Sequence, residues 1–213
     1  MDFILTLEWI AFGCSLFLLH PSHPKYLRLV TLSLAIIVVA ESLGYYYRIH
    51  LNQSNHSIYN ISVPLVILLL LELIRQALQL KSQKLLIRVF MGAYISFALG
   101  NILFIQGTEK FANYNYIFGA ILLAISSTIY LIQFIKEPQI ISIWKHPMFW
   151  IVWAILLLYI PKSILFVFFE YFTYNPEYRG SFGAIFRQIG FLLNLVYFSM
   201  ISYASLCRLI YLY

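Results

Sequence analysis

Seven stretches of the chain, each 17 to 23 residues long and predominantly apolar, follow one another with only short polar segments between them. They run about 3–19, 27–47, 58–80, 86–106, 114–135, 147–169 and 185–207. A helix needs about 20 such residues to cross a hydrocarbon core roughly 30 Å thick. Lipid supplies no partner for free backbone groups, so a segment of this kind spans as a helix. The composition agrees: 62% of the 213 residues are hydrophobic and 10% charged, where an ordinary soluble domain has about 45–50% and about 25%. Such a chain cannot cover itself with polar surface. The sequence therefore predicts an all-α, polytopic membrane protein, one seven-helix transmembrane domain over residues 1–213.

The fourth and fifth stretches carry no ionisable residue between Val89 and Gln106 or between Tyr114 and Ile135. The first is short and contains Glu8, yet Asp2 is its only preceding charge, and a cleavable signal needs Lys or Arg there. It reads as a retained helix. The connections are short, the longest expected from Glu170 to about Ala184, so no soluble domain is left over. Ligands and partners fall to the helices and their turns.

Cytoplasmic loops are enriched in Lys and Arg, which fixes orientation. Alternating the seven spans places Lys25, Arg28, Arg75, Lys81, Lys84, Arg88, Lys136, Lys145 and Arg208 on one side. Arg48, Lys110, Arg179 and Arg187 fall on the other, and Lys162 lies inside the sixth span. Nine against four predicts the N-terminus outside and the C-terminus in the cytoplasm. The basic cluster from Arg75 to Arg88 reads as a cytoplasmic anchor. A nucleic-acid partner would need a basic, aromatic-interleaved soluble face, and none is expected.

Ionisable groups within a span are costly and normally face the bundle interior or a wet cavity. On this topology Glu8, Glu41, Asn60, Asn101, Gln106, Gln188 and Asn194 fall in the outer half, with Lys162 between mid-depth and the outer third. The inner half is nearly all apolar until Glu72, Arg75 and Gln133. Sorting by leaflet implies a polar cavity opening outward. Lys162 needs an acidic partner there, and Glu8 and Glu41 lie at similar depth. Pro161 and Pro64 each remove a helical hydrogen bond and free a carbonyl. Most of the outer aromatics belong to a headgroup belt, while Tyr45, Tyr59 and Tyr159 are candidates to line the cavity. The candidate ligand-binding set is therefore Glu8, Glu41, Tyr45, Tyr59, Asn60, Asn101, Tyr159, Lys162, Gln188 and Asn194. The competing reading of the same groups is a buried tether between helices.

No catalytic or metal residue is assigned, and no cofactor is expected. The histidines His20, His23, His50, His56 and His146 lie in turns or at span ends, and Cys14 and Cys207 are solitary. His20 and His23 belong to the Pro-rich turn HPSHP, which reads as a tight connection.

The Asn-rich turn leading to Ile58-Tyr59-Asn60 is one of several short motifs. The others are His146-Pro147-Met148-Phe149-Trp150-Ile151 followed by Leu158-Tyr159, and Leu193-Asn194-Leu195-Val196-Tyr197 in the last span. Together with the seven-span layout they resemble the seven-helix membrane segments at the N-termini of some bacterial sensor histidine kinases, which also have stand-alone relatives. The resemblance implies a bacterial inner-membrane location and a sensory role. The chain departs from that pattern by ending at Tyr213 with no kinase domain, so output is expected through a separate signalling partner or a second copy. The leading expectation is a sensory or accessory protein that binds a small ligand or lipid headgroup from outside and signals through its cytoplasmic face. A small transporter or channel subunit comes second and a lipid-modifying enzyme third, with Glu8 or Glu41 as acid or base.

Overall fold

The computed structural model describes residues 3–21, 23–136, 143–174 and 179–210. Its principal elements are helices: α1 (Phe3–Ser15), α2 (Arg28–His50), α3 (His56–Ala77), α4 (Lys81–Gly100), α5 (Asn113–Lys136), α6 (Pro147–Tyr174) and α7 (Arg179–Ile210). No strand occurs among the described residues.

The breaks between helices have local causes. His20 precedes Pro21, whose ring disfavours helical geometry at the residue before it, and His20 is accordingly extended at ψ 140°. Beyond it the His23 amide donates to the His20 carbonyl at 3.0 Å. Between α3 and α4 the chain turns on two extended residues, Leu78 and Leu80, with ψ 154° and 131°. Pro147 opens α6 at the first helical position, where its missing N–H leaves no carbonyl unserved. Gly107 takes a φ of 70°, a left-handed conformation that a residue without Cβ adopts freely.

Among the described residues, six segments are long and apolar enough to cross a membrane: Lys25–His50, His56–Ala77, Lys81–Ile105, Asn113–Lys136, Pro147–Phe169 and Phe182–Cys207. The remaining apolar segment, Phe3–Leu19, is shorter. Its last four residues, Leu16–Leu19, wind as a 3₁₀ helix. That winding rises about 2.0 Å per residue instead of about 1.5 Å, which brings the segment to roughly 27 Å against a core of roughly 30 Å. Large apolar side chains such as Val39, Ile61, Leu103, Phe104, Ile135 and Val167 face outward around the bundle. An apolar exterior of this extent suits lipid and not water.

The sixth and seventh helices extend beyond the spans read from hydropathy. α6 continues to Tyr174 and α7 begins at Arg179, so most of the stretch expected as the longest loop, Glu170 to Ala184, is helical. Hydropathy windows end where polar residues begin, whereas helical hydrogen bonding continues into the polar ends. Pro176 follows α6 by two residues, and residues 175–178, Tyr178 included, lie outside the described residues.

Helix neighbours define the architecture. α1 packs on α2 and α7, α2 on α3, α3 on α5, α5 on α6, and α6 on α7, which closes a ring of six. α4 packs outside the ring against α3 and α5. The tightest approach there is made at Gly119 of α5. A Cβ at that position would fall 3.0 Å from both Ile67 Cγ2 of α3 and Tyr94 Cε2 of α4. The apolar core runs through α3, with Ile67, Leu71, Leu73 and Ile74 fully buried.

Candidate functional site

The ring leaves a cavity at the end of the bundle where α1, α3 and α7 begin and α2 finishes. This vestibule measures about 550 Å³. α1 contributes Phe3, Ile4, Leu5 and Glu8; α2 contributes Glu41, Tyr45 and Arg48; and Asn55 and Tyr59 come from the start of α3. Lys162 of α6 and Phe186, Arg187, Gly190, Phe191 and Asn194 of α7 complete the wall. The arginines mark the mouth, seven residues along their helices from Glu41 and Asn194. Seven residues is two helical turns, so each pair shares one helix face.

A second lobe of about 100 Å³ continues inward and shares Glu8, Glu41, Tyr59, Lys162 and Asn194 with the vestibule. Its walls are otherwise Ile37, Ala40, Ser62, Val63, Val66, Tyr116, Leu158, Tyr159, Tyr197 and Phe198. The site thus narrows from a charged mouth to a tyrosine floor. Tyr116 and Tyr159 stack with ring centroids 5.4 Å apart.

The three ionisable groups at the junction are held differently. Glu41 accepts a hydrogen bond from the Tyr59 hydroxyl at 2.7 Å. The bond depends on Gly44, because a Cβ there would lie 2.8 Å from that hydroxyl and 3.2 Å from Asn55 Nδ2. Lys162 interacts electrostatically with Glu41 and Glu8, and its Nζ lies 5.9 Å from the centre of the Tyr116 ring. Glu8 is 3% exposed, and its Oε2 has no hydrogen-bond partner. The Tyr116 hydroxyl, in a residue 5% exposed, has none either. Buried polar atoms normally find partners, so both mark places where the cavity offers hydrogen bonding to an occupant.

Of the residues singled out in the sequence, Glu8, Glu41, Tyr45, Tyr59, Lys162 and Asn194 come together in the vestibule, and Tyr159 lies in the inner lobe. Asn60 and Asn101 do not line it. Asn60 clamps the connection before α5: its Nδ2 donates to the Lys110 carbonyl and its Oδ1 accepts from the Ala112 amide, both at 2.8 Å. Asn101 opens the π-helical stretch Asn101–Ile105. It donates to Gln106 Oε1 and Asn115 Oδ1 at 2.8 Å each. Gln106 in turn donates to Asn113 Oδ1, and Asn113 donates to the Phe166 carbonyl at 3.3 Å. These amides join α4, α5 and α6 as a tether, and the polar set at this end of the bundle divides into a cavity and a clamp. Gln188 faces a shallow groove on α7 with Arg187, Phe191 and Leu192.

Arg48 and Arg187 were counted in the sequence only for topology. Their spacing of seven from Glu41 and Asn194 is the signal that places them at the cavity. Asn113 and Asn115 sit within a span-start segment, Asn113-Tyr114-Asn115-Tyr116, that reads as a polar margin.

At the opposite end, Glu72 forms a bidentate ion pair with Arg75, at 2.5 and 2.6 Å, and the Gln79 amide donates to Gln133 Oε1 at 2.9 Å. An aromatic cluster of Phe134, Phe149, Trp150 and Tyr203 joins α5, α6 and α7 there. No group of three or more His, Cys, Asp or Glu side chains converges on a metal position among the described residues.

The molecule is thus an all-α bundle with six helices long and apolar enough to cross a membrane, enclosing a charged cavity at one end. Comparison of the chain with known protein families, with curated proteins and with solved structures returns no match.

Proposed function

We propose that the protein is a seven-helix sensory or accessory protein of the bacterial inner membrane, with its N-terminus outside and its C-terminus in the cytoplasm. α1 completes the seven spans, and the nine-to-four division of basic residues sets the orientation. A small ligand or lipid headgroup enters the vestibule from outside. The observation carrying this reading is the buried Glu8 carboxyl, whose Oε2 has no hydrogen-bond partner, lining a cavity of about 550 Å³ with Glu41 and Lys162.

Occupancy would be felt on α6. Pro161 leaves the Leu157 carbonyl without its helical donor, directly before Lys162. The same helix begins in the aromatic cluster around Trp150. A ligand that pairs Glu8 differently in two packings of α6 against α7 shifts their equilibrium by its differential affinity. The readout is a cytoplasmic or membrane partner, or a second copy, contacting that end. A permeation path is less well supported, because the cavity narrows into the tyrosine floor and Val66.

The test replaces Glu41→Gln and Lys162→Met singly and together in the full chain, with a photo-crosslinker at Trp144 reporting partner contact. Folded, inserted variants should change the crosslinking pattern. Unchanged crosslinking and output in all three would overturn the reading.

A further inference from the structure

The vestibule shares part of its wall with a groove outside the bundle, and this points to the chemistry of the occupant. Arg187 and Phe191 line the vestibule and also the groove of about 420 Å³ on the outer face of α7. The groove continues past Leu192, which is exposed on the outside of the bundle. Gly190 lines the vestibule, and a Cβ added there meets no atom within 4 Å, so bulk at this position would enter the cavity. A polar interior and an apolar furrow thus lie on either side of Arg187 and Phe191.

The charges are arranged in two layers. Arg48 and Arg187 stand at the mouth, suited to an oxyanion that a guanidinium can grip with two N–H groups. Deeper, Lys162 interacts electrostatically with both Glu41 and Glu8, and Glu8 Oε2 has no hydrogen-bond donor. Gly190 lies about 4.5 Å along the axis from Arg187 and about 6 Å from Asn194, so the open space falls between the layers. The complementary ligand carries an anion at the mouth, an N–H cation one short step deeper, and an apolar tail.

We propose that the vestibule takes the headgroup of an aminophospholipid, its phosphate between Arg48 and Arg187, its primary ammonium donating to Glu8, and one acyl chain leaving past Phe191 along the outer groove of α7. This rests on the reading of the vestibule as a ligand site and names its ligand class.

The test measures binding to the delipidated full chain in detergent, by thermal shift and tryptophan fluorescence. The probes are phosphatidylethanolamine, phosphatidylcholine and phosphatidylglycerol of one acyl composition, and water-soluble phosphoethanolamine. Phosphatidylethanolamine should bind at least tenfold more tightly than phosphatidylcholine, whose quaternary ammonium has no N–H to give. Glu8→Gln should erase that difference, and Gly190→Phe, which adds bulk into open space and leaves the fold intact, should weaken binding of every lipid. Equal binding of the ethanolamine and choline lipids would overturn the ammonium contact. Tighter binding of phosphatidylglycerol would make the site one for anions alone and overturn the zwitterion. Phosphoethanolamine matching the lipid at equal concentration would assign a free solute and overturn the acyl-chain groove. Failure here with crosslinking still dependent on Glu41 and Lys162 would reject the ligand class and leave the sensory reading standing. Lipid selectivity without any change in crosslinking would do the reverse.

Discussion

At the residue scale, the vestibule depends on side chains whose partners are single atoms. Tyr59 reaches Glu41 only because Gly44 presents no Cβ. Gly44→Ala and Tyr59→Phe should each destabilise the protein by about 1–2 kcal/mol, in line with polar contacts between membrane helices. If both act by breaking one bond, the double variant should cost no more than the worse single one. Thermal denaturation of the four proteins in detergent decides it, and additive costs would separate Gly44 from the Tyr59–Glu41 bond. Asn60→Ala removes two hydrogen bonds and leaves the Lys110 carbonyl and Ala112 amide unserved. A loss of about 1–3 kcal/mol is expected, with ligand binding at the vestibule retained because Asn60 does not line it. This residue shows where sequence reasoning stops. Depth along a helix was legible from topology, and it put Asn60 and Asn101 near Glu8 and Glu41. Which way each amide faces around its helix was not, because that depends on how the neighbouring helices pack.

At the scale of elements, the two helical prolines and the two contrasting glycines make separable claims. Gly119 is pressed between Ile67 and Tyr94, whereas nothing lies within 4 Å of a Cβ at Gly92 on α4. Gly119→Ala should cost about 1–3 kcal/mol through overpacking, and Gly92→Ala should be neutral or stabilising, since alanine is favoured over glycine by about 1 kcal/mol within a helix. Equal losses for both would contradict the placement of α4 outside the ring. Pro161→Ala gives the Leu157 carbonyl its missing donor, and the Ser163 hydroxyl still donates to the Ile160 carbonyl. The variant should fold with unchanged or higher thermal stability and lose the dependence of Trp144 crosslinking on Glu41 and Lys162. Helix existence was readable in every span, because apolar length alone decides it. Helix ends were read less well: α6 and α7 continue through polar residues to Tyr174 and from Arg179. The 3₁₀ winding of Leu16–Leu19 and the π-helical Asn101–Ile105 have no hydropathy signature, being set by Pro21 and by the amide clamp.

At the scale of the whole molecule, the proposed function asks a few charges to set both orientation and activity. In the proposed orientation the basic residues at helix ends set which way up the bundle lies, and Arg48 and Arg187, two of the minority assigned to the outer side, line the cavity. The same scarcity makes the central claim testable: water from the outside must reach Asn194, where vestibule and inner lobe meet. The direct measurement is the reaction of Asn194→Cys, with Cys14 and Cys207 replaced by alanine, toward a charged, membrane-impermeant methanethiosulfonate added to intact cells. Modification from outside is expected, slowed at least tenfold by adding Gly190→Phe. A cysteine at that position that reacts only from the cytoplasmic side of inverted membranes, or from neither side, would contradict an outward-facing cavity.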